Sequence, residues 1–307
     1  MGTLSRGLIM GFQDVLTFKA RRKNDLQRGW NKTKVWLFLL IMIVIGVILV
    51  FPYFYMISKS LMNETEVIDP NVPLLPSTPQ WSNYWKLFTE SGYLKATMYS
   101  LIVCLFNAIV VPLSASLIAF SFAKCHWKGR NVMFALMMFT TMLPAVATQI
   151  PLYVMYSEWG WIDTLFPLTL PNLFGGGASY IFLLRQYMMG IPNDMEDAAK
   201  IDGANPFRIY WNIILPNCKP ILIYIAITVI ITNWGDYYGP LVFMTSDDAP
   251  YTLAYLIYKK STEGEAASQL AAVRMAGGVF MTILPAIIFT LFQKQLTDGV
   301  LTSGLKG

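Results

Sequence analysis

Long stretches without a charged side chain are the feature that most constrains the fold of this chain. The cleanest, Val35–Met56, has 22 residues and no Asp, Glu, Lys or Arg, and Ala96–Phe122 and Asn131–Tyr156 also lack them. About 20 mostly apolar residues are enough for a helix to cross a bilayer. Only 13% of the 307 residues are charged, against about 25% in an ordinary soluble domain. We therefore predict an all-α, polytopic membrane protein.

Six membrane-spanning helices are expected in total. The other three are Phe166–Met189, Ile221–Met244 and Met275–Phe292, of which the first contains glycines 175–177 and is the weakest. Prolines at membrane depth are expected to kink or break helices because each frees a backbone carbonyl; they are Pro112, Pro144, Pro151, Pro171 and Pro285. Such bends are equally compatible with ordinary kinks and with hinges that line a pathway.

The distribution of Lys and Arg assigns the loops to sides of the membrane. If the loops alternate, 17 of the 23 basic residues fall on one side and six on the other. Because cytoplasmic loops carry the excess of basic residues, both termini are expected in the cytoplasm. The domain organisation is then a cytoplasmic segment over 1–34, a transmembrane domain over 35–294 and a cytoplasmic tail over 295–307. The net charge of +5 thus reflects topology, and we expect no nucleic-acid partner.

Several classes of function are disfavoured by what the sequence lacks. His126 is the only histidine, and none of the three cysteines has the spacing of a metal site, so neither a metal centre nor a catalytic residue is expected. The chain has no G-x-x-x-x-G-K-[ST] phosphate-binding loop. Few ionisable residues lie within the spans, which disfavours an ion-coupled secondary transporter, although that alternative stays open.

One polar stretch, Ile191–Pro220, interrupts the apolar spans in the second half of the chain. An acid precedes Ala198-Ala199, Gly203 follows after three residues, and Ile213-x-Leu215-Pro216 follows after nine more. A short helix with Ala and Gly is common in plain loops, but the complete spacing on the predicted cytoplasmic side favours a functional element. We interpret it as a helix–turn–helix at about 192–216.

Local rules predict the geometry of this element. Asp194 is expected to cap the first helix, with Asp197 as its capping-box partner. Gly203 should end that helix by adopting a positive φ. A second short helix, Phe207–Leu215, is predicted to follow Asn205-Pro206 and to end at Leu215-Pro216 before the next span.

These features resemble the shorter of the two permease subunits of maltose-type carbohydrate ATP-binding-cassette (ABC) importers. The resemblance includes the EAA-like stretch just described and four further segments, which are Pro52–Ser60, Ser82-Asn83-Tyr84, residues 233–244 and the C-terminal QKQLTDGVLTSGLKG. Asp197 departs from the family by replacing its usual Glu, and Gly235 replaces a common Asn. The implied fold is that of a type I ABC importer permease.

The resemblance also implies partners and site residues. The element would dock on a separate cytoplasmic ATPase, and the tail would reach the interface between two such subunits. The implied coupling residues are Glu196, Asp197, Ala198, Ala199, Asp202, Gly203, Ala204, Leu215 and Pro216, and the implied tail contacts are Ser303, Gly304, Lys306 and Gly307. The chain itself would hold no cofactor, since ATP and Mg would be bound by the partner ATPase.

Further implied partners are a second permease subunit in a heterodimer, an extracytoplasmic solute-binding protein and a carbohydrate, in the lipid bilayer of a bacterial or archaeal cytoplasmic membrane. Polar residues at membrane depth are candidates for the solute pathway, or alternatively for hydrogen bonds between helices; they are Asn107, Gln149, Asn172, Asn233, Trp234, Asp236 and Tyr237. The same architecture could carry a solute other than a sugar.

Overall fold

The computed structural model describes residues 34–69, 71, 74–89, 92–262 and 271–304, and gives no side chains for 145 and 296–304. The predicted N-terminal segment, apart from its last residue, lies outside these ranges, as do Lys306 and Gly307 of the tail. The described residues form helices joined by turns and loops and contain no β-strand, so the predicted all-α class is confirmed.

Fifteen α-helices are present in the described residues. They are α1 Lys34–Ser60, α2 Glu64–Ile68, α3 Ser82–Thr89, α4 Tyr93–Ala123, α5 Arg130–Thr140, α6 Ala145–Glu158, α7 Phe166–Thr169, α8 Ala178–Met189, α9 Asp194–Ile201, α10 Pro206–Ile209, α11 Leu215–Asn217, α12 Lys219–Trp234, α13 Tyr238–Phe243, α14 Leu253–Thr262 and α15 Ala271–Gly304. A 3₁₀ segment, Leu170–Phe174, follows α7, and a π-helical segment, Tyr210–Ile214, joins α10 to α11.

Three helices, α1, α4 and α15, are long and apolar enough to cross a membrane. A fourth candidate is the pair Pro206–Asn217 and α12, if two helices that meet at 75° are counted as one span. The pattern of contacts within the chain separates two compact units, with the boundary between Met56 and Ile57. Before that boundary, residues 34–56 of α1 expose apolar side chains along nearly all of their length. A helix that is apolar all round suits a lipid environment.

The predicted spans 131–156, 166–189 and Ile221–Met244 are each interrupted, the last between the end of α12 at Trp234 and the start of α13 at Tyr238. The first is split by the turn before Pro144, whose extended ψ of 130° precedes α6. The second is split at Leu170–Phe174 and at three glycines with positive φ, Gly175 to Gly177. In contrast, α4, α6 and α15 continue through their internal prolines. Of the five expected disruptions, only those at Pro144 and Pro171 therefore interrupt a helix.

Three apolar cores lie in the described part of the unit that starts at Ile57, the smallest of which contains Val103, Leu168, Met244, Ala249 and Tyr255. The first core packs α4, α8 and α12 against the chain between Ile191 and Cys218; its buried members are Val111, Ala115, Ala119, Phe120, Ile181, Leu184, Met188, Ile191, Ile209, Tyr210, Ile214, Cys218, Ile221, Ile225 and Val229. The second core packs α3, the start of α4, the end of α12, α14 and α15; its buried members are Leu87, Tyr93, Ala96, Cys104, Trp234, Leu253, Leu256 and Val273. The polar stretch noted in the sequence is thus packed onto the first core.

Two segments that carry the family resemblance also meet in the structure. Asn83 is buried and its Nδ2 donates to the carbonyl oxygens of Ser60 and Met62, at 2.9 Å each. The hydroxyl of Tyr84 lies 2.7 Å from Ser60 Oγ. These side chains give Ser82-Asn83-Tyr84 a structural role in holding the chain that leaves α1.

Candidate functional site

The first helix of the polar stretch is α9, and its N-terminus differs from the prediction. Asn193, not Asp194, is the N-cap residue, and it makes no side-chain capping bond. Its Oδ1 instead accepts a hydrogen bond from Lys124 Nζ at 2.9 Å. Asp194 is therefore the first helical residue, where the helix dipole favours its negative charge. The predicted cap is wrong because the helix begins one residue earlier than expected, which places Asp194 inside it.

Asp197 also faces a different partner from the one predicted. Its Oδ1 accepts a hydrogen bond from Lys200 Nζ at 2.9 Å, one helical turn on, and it does not reach back to the N-cap backbone. This hydrogen bond raises the pKa of the Lys200 ammonium. Both side chains are more than half exposed. An exposed pair of this kind adds little to stability, which leaves Asp197 available at the surface.

Gly203 ends the first helix as predicted. Its φ is +76°, in the left-handed region that glycine adopts without strain. Its N–H donates to the carbonyl oxygen of Lys200 at 3.0 Å, and the N–H of Ala204 donates to that of Ala199 at 2.9 Å. These bonds satisfy the last carbonyl groups of α9 and reverse the chain.

The second helix begins where the sequence predicts and ends later. Asn205 caps it, since its Oδ1 accepts from the backbone N–H of Arg208 at 2.8 Å. Helical structure then continues through the π segment and past Pro216 to Asn217, and the chain turns at Cys218 into α12. The predicted end at Leu215-Pro216 is thus too early, because a proline in the first turn of a helix costs no hydrogen bond. We call Asp194–Asn217 the hairpin.

A buried ion pair attaches the first helix of the hairpin to the end of α4. Lys124 Nζ lies 2.5 Å from Glu196 Oε1, and the two side chains are 5% and 6% exposed. Lys124 also donates to the carbonyl oxygen of Ile191 at 2.8 Å. Burial, and next the charge of Glu196, raise the pKa of the nearby Cys125 thiol. Lys124 was not predicted from the sequence, where its only signal is a cation directly after a span.

Tyr210 attaches the second helix to the same span. Its hydroxyl lies 2.8 Å from Ser116 Oγ, and its ring lies 5.3 Å from that of Phe120. Tyr210 and Ser116 are both buried. The hairpin is therefore held to α4 at two points, through Glu196 and through Tyr210, and we expect it to move together with that helix.

The predicted coupling residues divide between two faces of the hairpin. Glu196 is buried, and Ala199, Ala204 and Leu215 are half-buried against the first core. The others are exposed: Asp197, Ala198, Asp202, Gly203 and Pro216. The two alanines of the signature thus face opposite ways, with Ala199 packed inward and Ala198 open to solvent.

Large apolar side chains, which were not predicted from the sequence, extend the exposed face. They are Met195, Ile201, Phe207 and Trp211, of which Ile201 is 87% exposed. The rings of Phe207 and Trp211 stack at 6.3 Å with an interplanar angle of 15°. We call these four residues with Ala198 the apolar face. An exposed apolar cluster with polar neighbours is typical of a surface that binds another protein.

Two of the predicted pathway residues meet inside the unit. Asn107 is fully buried, and its Nδ2 donates to Asn233 Oδ1 at 2.8 Å and to the carbonyl oxygen of Leu168 at 2.9 Å. Asn172 donates to the same carbonyl at 3.1 Å. The interrupted helix at Pro171 needs such donors because its carbonyl groups lose their usual partners. These geometries correspond to the alternative of hydrogen bonds between helices.

The remaining pathway candidates differ in accessibility. Trp234 is buried and donates through Nε1 to the carbonyl oxygen of Met281 at 2.9 Å. Asp236 Oδ1 accepts from two backbone N–H groups at 3.0 Å each and so stabilises the turn before α13. Tyr237 is 44% exposed and stacks on Tyr258 at 4.9 Å.

Gln149 Oε1 accepts a hydrogen bond from the hydroxyl of Tyr238 at 2.7 Å, and Tyr238 is exposed. In the tail, Ser303 and Gly304 belong to α15. Within the described ranges, no group of three or more His, Cys, Asp and Glu residues is placed to hold a metal ion.

Comparison with known proteins identifies the class of this chain. Residues 113–301 match the family described as "Binding-protein-dependent transport system inner membrane component". The chain belongs to this family, which confirms the predicted class of an ABC importer permease.

Individual proteins of known sequence or structure resemble the chain along most of its length. It is 31% identical to the arabinooligosaccharides transport system permease protein AraQ of Halalkalibacterium halodurans, over 92% of this chain and 100% of that protein. It is 30% identical to the sn-glycerol-3-phosphate transport system permease protein UgpE of Rhizobium meliloti, over 85% of this chain and 94% of that protein.

A solved structure shares the fold. It is a crystal structure of a bacterial ABC transporter involved in the import of the acidic polysaccharide alginate, with a TM-score of 0.71 and 23% identity, over 84% of this chain and 94% of that chain. A second one, of the bacterial alginate ABC transporter in complex with alginate pentasaccharide-bound periplasmic protein, has a TM-score of 0.62 and 14% identity, over 87% and 94% of the two chains.

Proposed function

We propose that this chain is a transmembrane subunit of an ATP-driven importer that moves a carbohydrate, and within that class an oligosaccharide, into the cytoplasm. Family membership supports the transport role, and the names of the relatives favour a sugar cargo. The observation that carries the proposal is the hairpin. It is attached to α4 through Glu196 and Tyr210 while its apolar face is exposed.

The proposed mechanism transmits a push from a partner ATPase into the membrane helices. The ATPase binds the apolar face and the exposed acids Asp197 and Asp202. Closure of the ATPase around ATP displaces the hairpin. Because Lys124, Tyr210 and the first core connect the hairpin to α4, α8 and α12, those helices follow. A buried, well-packed contact transmits displacement because protein interiors resist compression.

The complete transporter, in this proposal, contains a second permease subunit, two cytoplasmic ATPase subunits and an extracytoplasmic solute-binding protein. ATP and Mg²⁺ are bound by the ATPase subunits, and this chain contributes no catalytic residue. The complex lies in a bacterial or archaeal cytoplasmic membrane with both termini of this chain in the cytoplasm, as the excess of basic residues favours.

Docking is tested at Ala198, the exposed alanine of the signature. In the assembled transporter, Ala198→Arg should abolish ATP-coupled uptake, because a long cation enters the contact, while the chain still inserts and folds. Ala198→Ser keeps a small side chain at the same position and should transport normally. Uptake is measured together with ATP hydrolysis in proteoliposomes. Normal coupling in Ala198→Arg would remove the docking role of the apolar face.

Energy coupling and cargo are tested in the same proteoliposomes. Uptake should require ATP on the side of the membrane that holds the ATPase subunits. It should persist when a protonophore and a sodium ionophore are added. Collapse of uptake by an ionophore would instead support the ion-coupled alternative. An arabinose oligosaccharide and sn-glycerol-3-phosphate are compared as cargoes, since the relatives include permeases for both classes. A preference for sn-glycerol-3-phosphate would contradict the proposed carbohydrate cargo.

Among the pathway candidates, we infer that Gln149 and Tyr237 contact the cargo and that Asn107, Asn233 and Trp234 hold helices together. The first two are at least partly accessible, whereas Asn107 and Trp234 are buried in hydrogen bonds with other helices. Gln149→Ala should raise the KM for uptake more than it lowers the maximal rate. An unchanged KM would exclude Gln149 from the pathway.

A further inference from the structure

A cavity of about 290 Å³ lies beside the turn between α4 and α5. Its walls are formed by His126, Trp127, Gly129, Arg130, Asn131 and Val132. The turn follows the end of α4, a membrane-crossing helix, and Lys124 at its start contacts the hairpin. The cavity therefore lies at the membrane boundary, on the same side as the hairpin.

Positive charge around this cavity lacks an acidic counterpart. Arg130 Nη1 donates to the carbonyl oxygen of Cys125 at 2.9 Å, and Arg185 Nε donates to that of Phe122 at 3.3 Å. Within the described part of the chain, neither arginine forms an ion pair with a carboxylate. The Arg185 guanidinium lies over the Phe134 ring, 4.2 Å from its centroid. The exposed Lys128 is a further cation of the same turn, outside the lining of the cavity.

The helix dipole of α5 makes the position of Arg130 electrostatically less favourable. Arg130 is the first residue of α5, whose first turn contains no acid. The N-terminal end of a helix dipole repels cations. Residues 124–140 contain no Asp or Glu at all. An anion in the cavity would offset the repulsion between Arg130 and the helix dipole.

An apolar surface continues from the cations toward the membrane interior. Trp127 is 40% exposed and packs on Phe122 at 5.7 Å, a position typical of indole rings at the level of lipid headgroups. Beyond it, α5 has no buried residue. Its large exposed apolar side chains are Val132, Met133, Leu136 and Phe139. The surface thus combines a cationic end with an apolar flank.

We propose that this cavity binds the phosphate of an anionic phospholipid, whose acyl chains lie along the exposed face of α5. A lipid fits better than an acidic residue of another protein because it accounts for the cations and for the apolar flank below them together. The cytoplasmic leaflet is the one enriched in anionic lipids. The inference rests on the proposed function only in assigning this side of the membrane to the cytoplasm.

The test measures lipid binding to the full-length chain in detergent by native mass spectrometry. Dioleoyl phosphatidylglycerol should remain bound in preference to dioleoyl phosphatidylcholine, which has the same acyl chains. Arg130→Gln and Lys128→Gln should each weaken phosphatidylglycerol binding about fivefold, the effect of roughly 1 kcal/mol per cation near an anionic surface. Because Lys128 is exposed, Lys128→Gln should leave the fold intact and tests the proposal even if Arg130→Gln perturbs folding. Lys219→Gln removes an exposed cation elsewhere on the chain and should have no effect.

Three results would overturn the proposal. Equal retention of the two lipids would show that the headgroup charge is not recognised, and unchanged binding in both variants would place the lipid elsewhere. Displacement of phosphatidylglycerol by millimolar inorganic phosphate would identify a site for a soluble anion. The assay contains neither ATP nor cargo. Failure of ATP-coupled uptake would therefore count against the proposed function and leave this binding result intact.

Discussion

The ion pair between Lys124 and Glu196 joins the end of α4 to the first turn of α9, in an environment almost closed to solvent. Removing two charges from water is costly, and the cost is offset only when the pair has good geometry and further hydrogen bonds. Lys124 has two such bonds, to Ile191 and Asn193. Glu196 Oε1, by contrast, is buried and makes no hydrogen bond beside the ion pair. The pair therefore fixes where the hairpin sits rather than adding net stability.

Lys124→Met should destabilise the chain strongly, by about 3–5 kcal/mol, because Glu196 is left buried without its partner. The double variant Lys124→Met with Glu196→Leu should recover most of this loss, since two apolar side chains replace two charges. The measurement is the thermal unfolding midpoint of the purified chain in detergent. Equal destabilisation in the single and double variants would mean that the pair is not the source of the effect.

Gly203→Ala tests the turn of the hairpin through the backbone alone. A Cβ at this position meets nothing within 4 Å, so any effect comes from the φ of +76°. For an L-residue this conformation costs roughly 1–2 kcal/mol, and we expect faster hydrogen exchange at the amides of Gly203 and Ala204. Gly203→Asn, which tolerates the left-handed region better, is the control and should exchange more slowly than the alanine variant.

At the scale of elements, the sequence predicted the hairpin itself but not its two faces. Spacing and turn residues are local signals, so the end of α9 at Gly203 and the restart at Asn205 could be read directly. The contacts of Glu196 and Tyr210 are with residues far away in the sequence, and no local rule reports them. The apolar face was missed for a related reason: which side of a short helix is buried depends on its tertiary partners.

In the membrane helices, too, some features could be predicted from the sequence and others depend on tertiary contacts. Composition predicted where apolar segments lie, and α1, α4 and α15 match them. It did not predict which prolines interrupt a helix. Pro112 continues within α4, whereas Pro171 lies in the 3₁₀ segment before Gly175–Gly177. The two prolines differ in their surroundings. Near Pro171, the side-chain amides of Asn107 and Asn172 donate hydrogen bonds to the carbonyl oxygen of Leu168.

The interrupted segment within 166–189 packs on α4, and Gly176 is a point of close contact with it. A Cβ there would lie 2.5 Å from Val111 Cγ1 and 2.7 Å from Cγ2. Gly160 has a similar φ, +67° against +62°, but a Cβ there meets nothing within 4 Å. The two positions therefore impose the same backbone cost and differ in packing.

Gly176→Ala should destabilise the chain by about 1–3 kcal/mol more than Gly160→Ala, because the added methyl overpacks against a β-branched side chain that has little freedom to move. Thermal unfolding in detergent measures the difference. Val111→Ala combined with Gly176→Ala should recover part of it by making room for the methyl group. Equal losses at the two glycines would show that the contact with α4 is loose.

At the scale of the whole molecule, the unit from Ile57 has a first core that contains the hairpin and a second core that contains α3, α14 and the start of α15. α4 and α12 contribute to both. A displacement of the hairpin therefore reaches the second core through these two helices. The sequence predicted the order of the apolar segments but not their continuity, since six membrane-crossing helices were expected and three, or four with the bent pair, are long and apolar enough in the described residues. The division into separate cores follows from packing alone.

The orientation of the molecule can be measured with single cysteines placed on the two predicted faces. In a chain with Cys104, Cys125 and Cys218 replaced by serine, Asp248→Cys should react with a membrane-impermeant maleimide added to intact cells, since it lies in a loop assigned to the outer side. Asp202→Cys, equally exposed but within the hairpin, should react only after the membrane is permeabilised. The expectation follows from 17 basic residues on one side against six on the other. Labelling of Asp202→Cys from outside would reverse the orientation and remove the hairpin from the reach of a cytoplasmic ATPase.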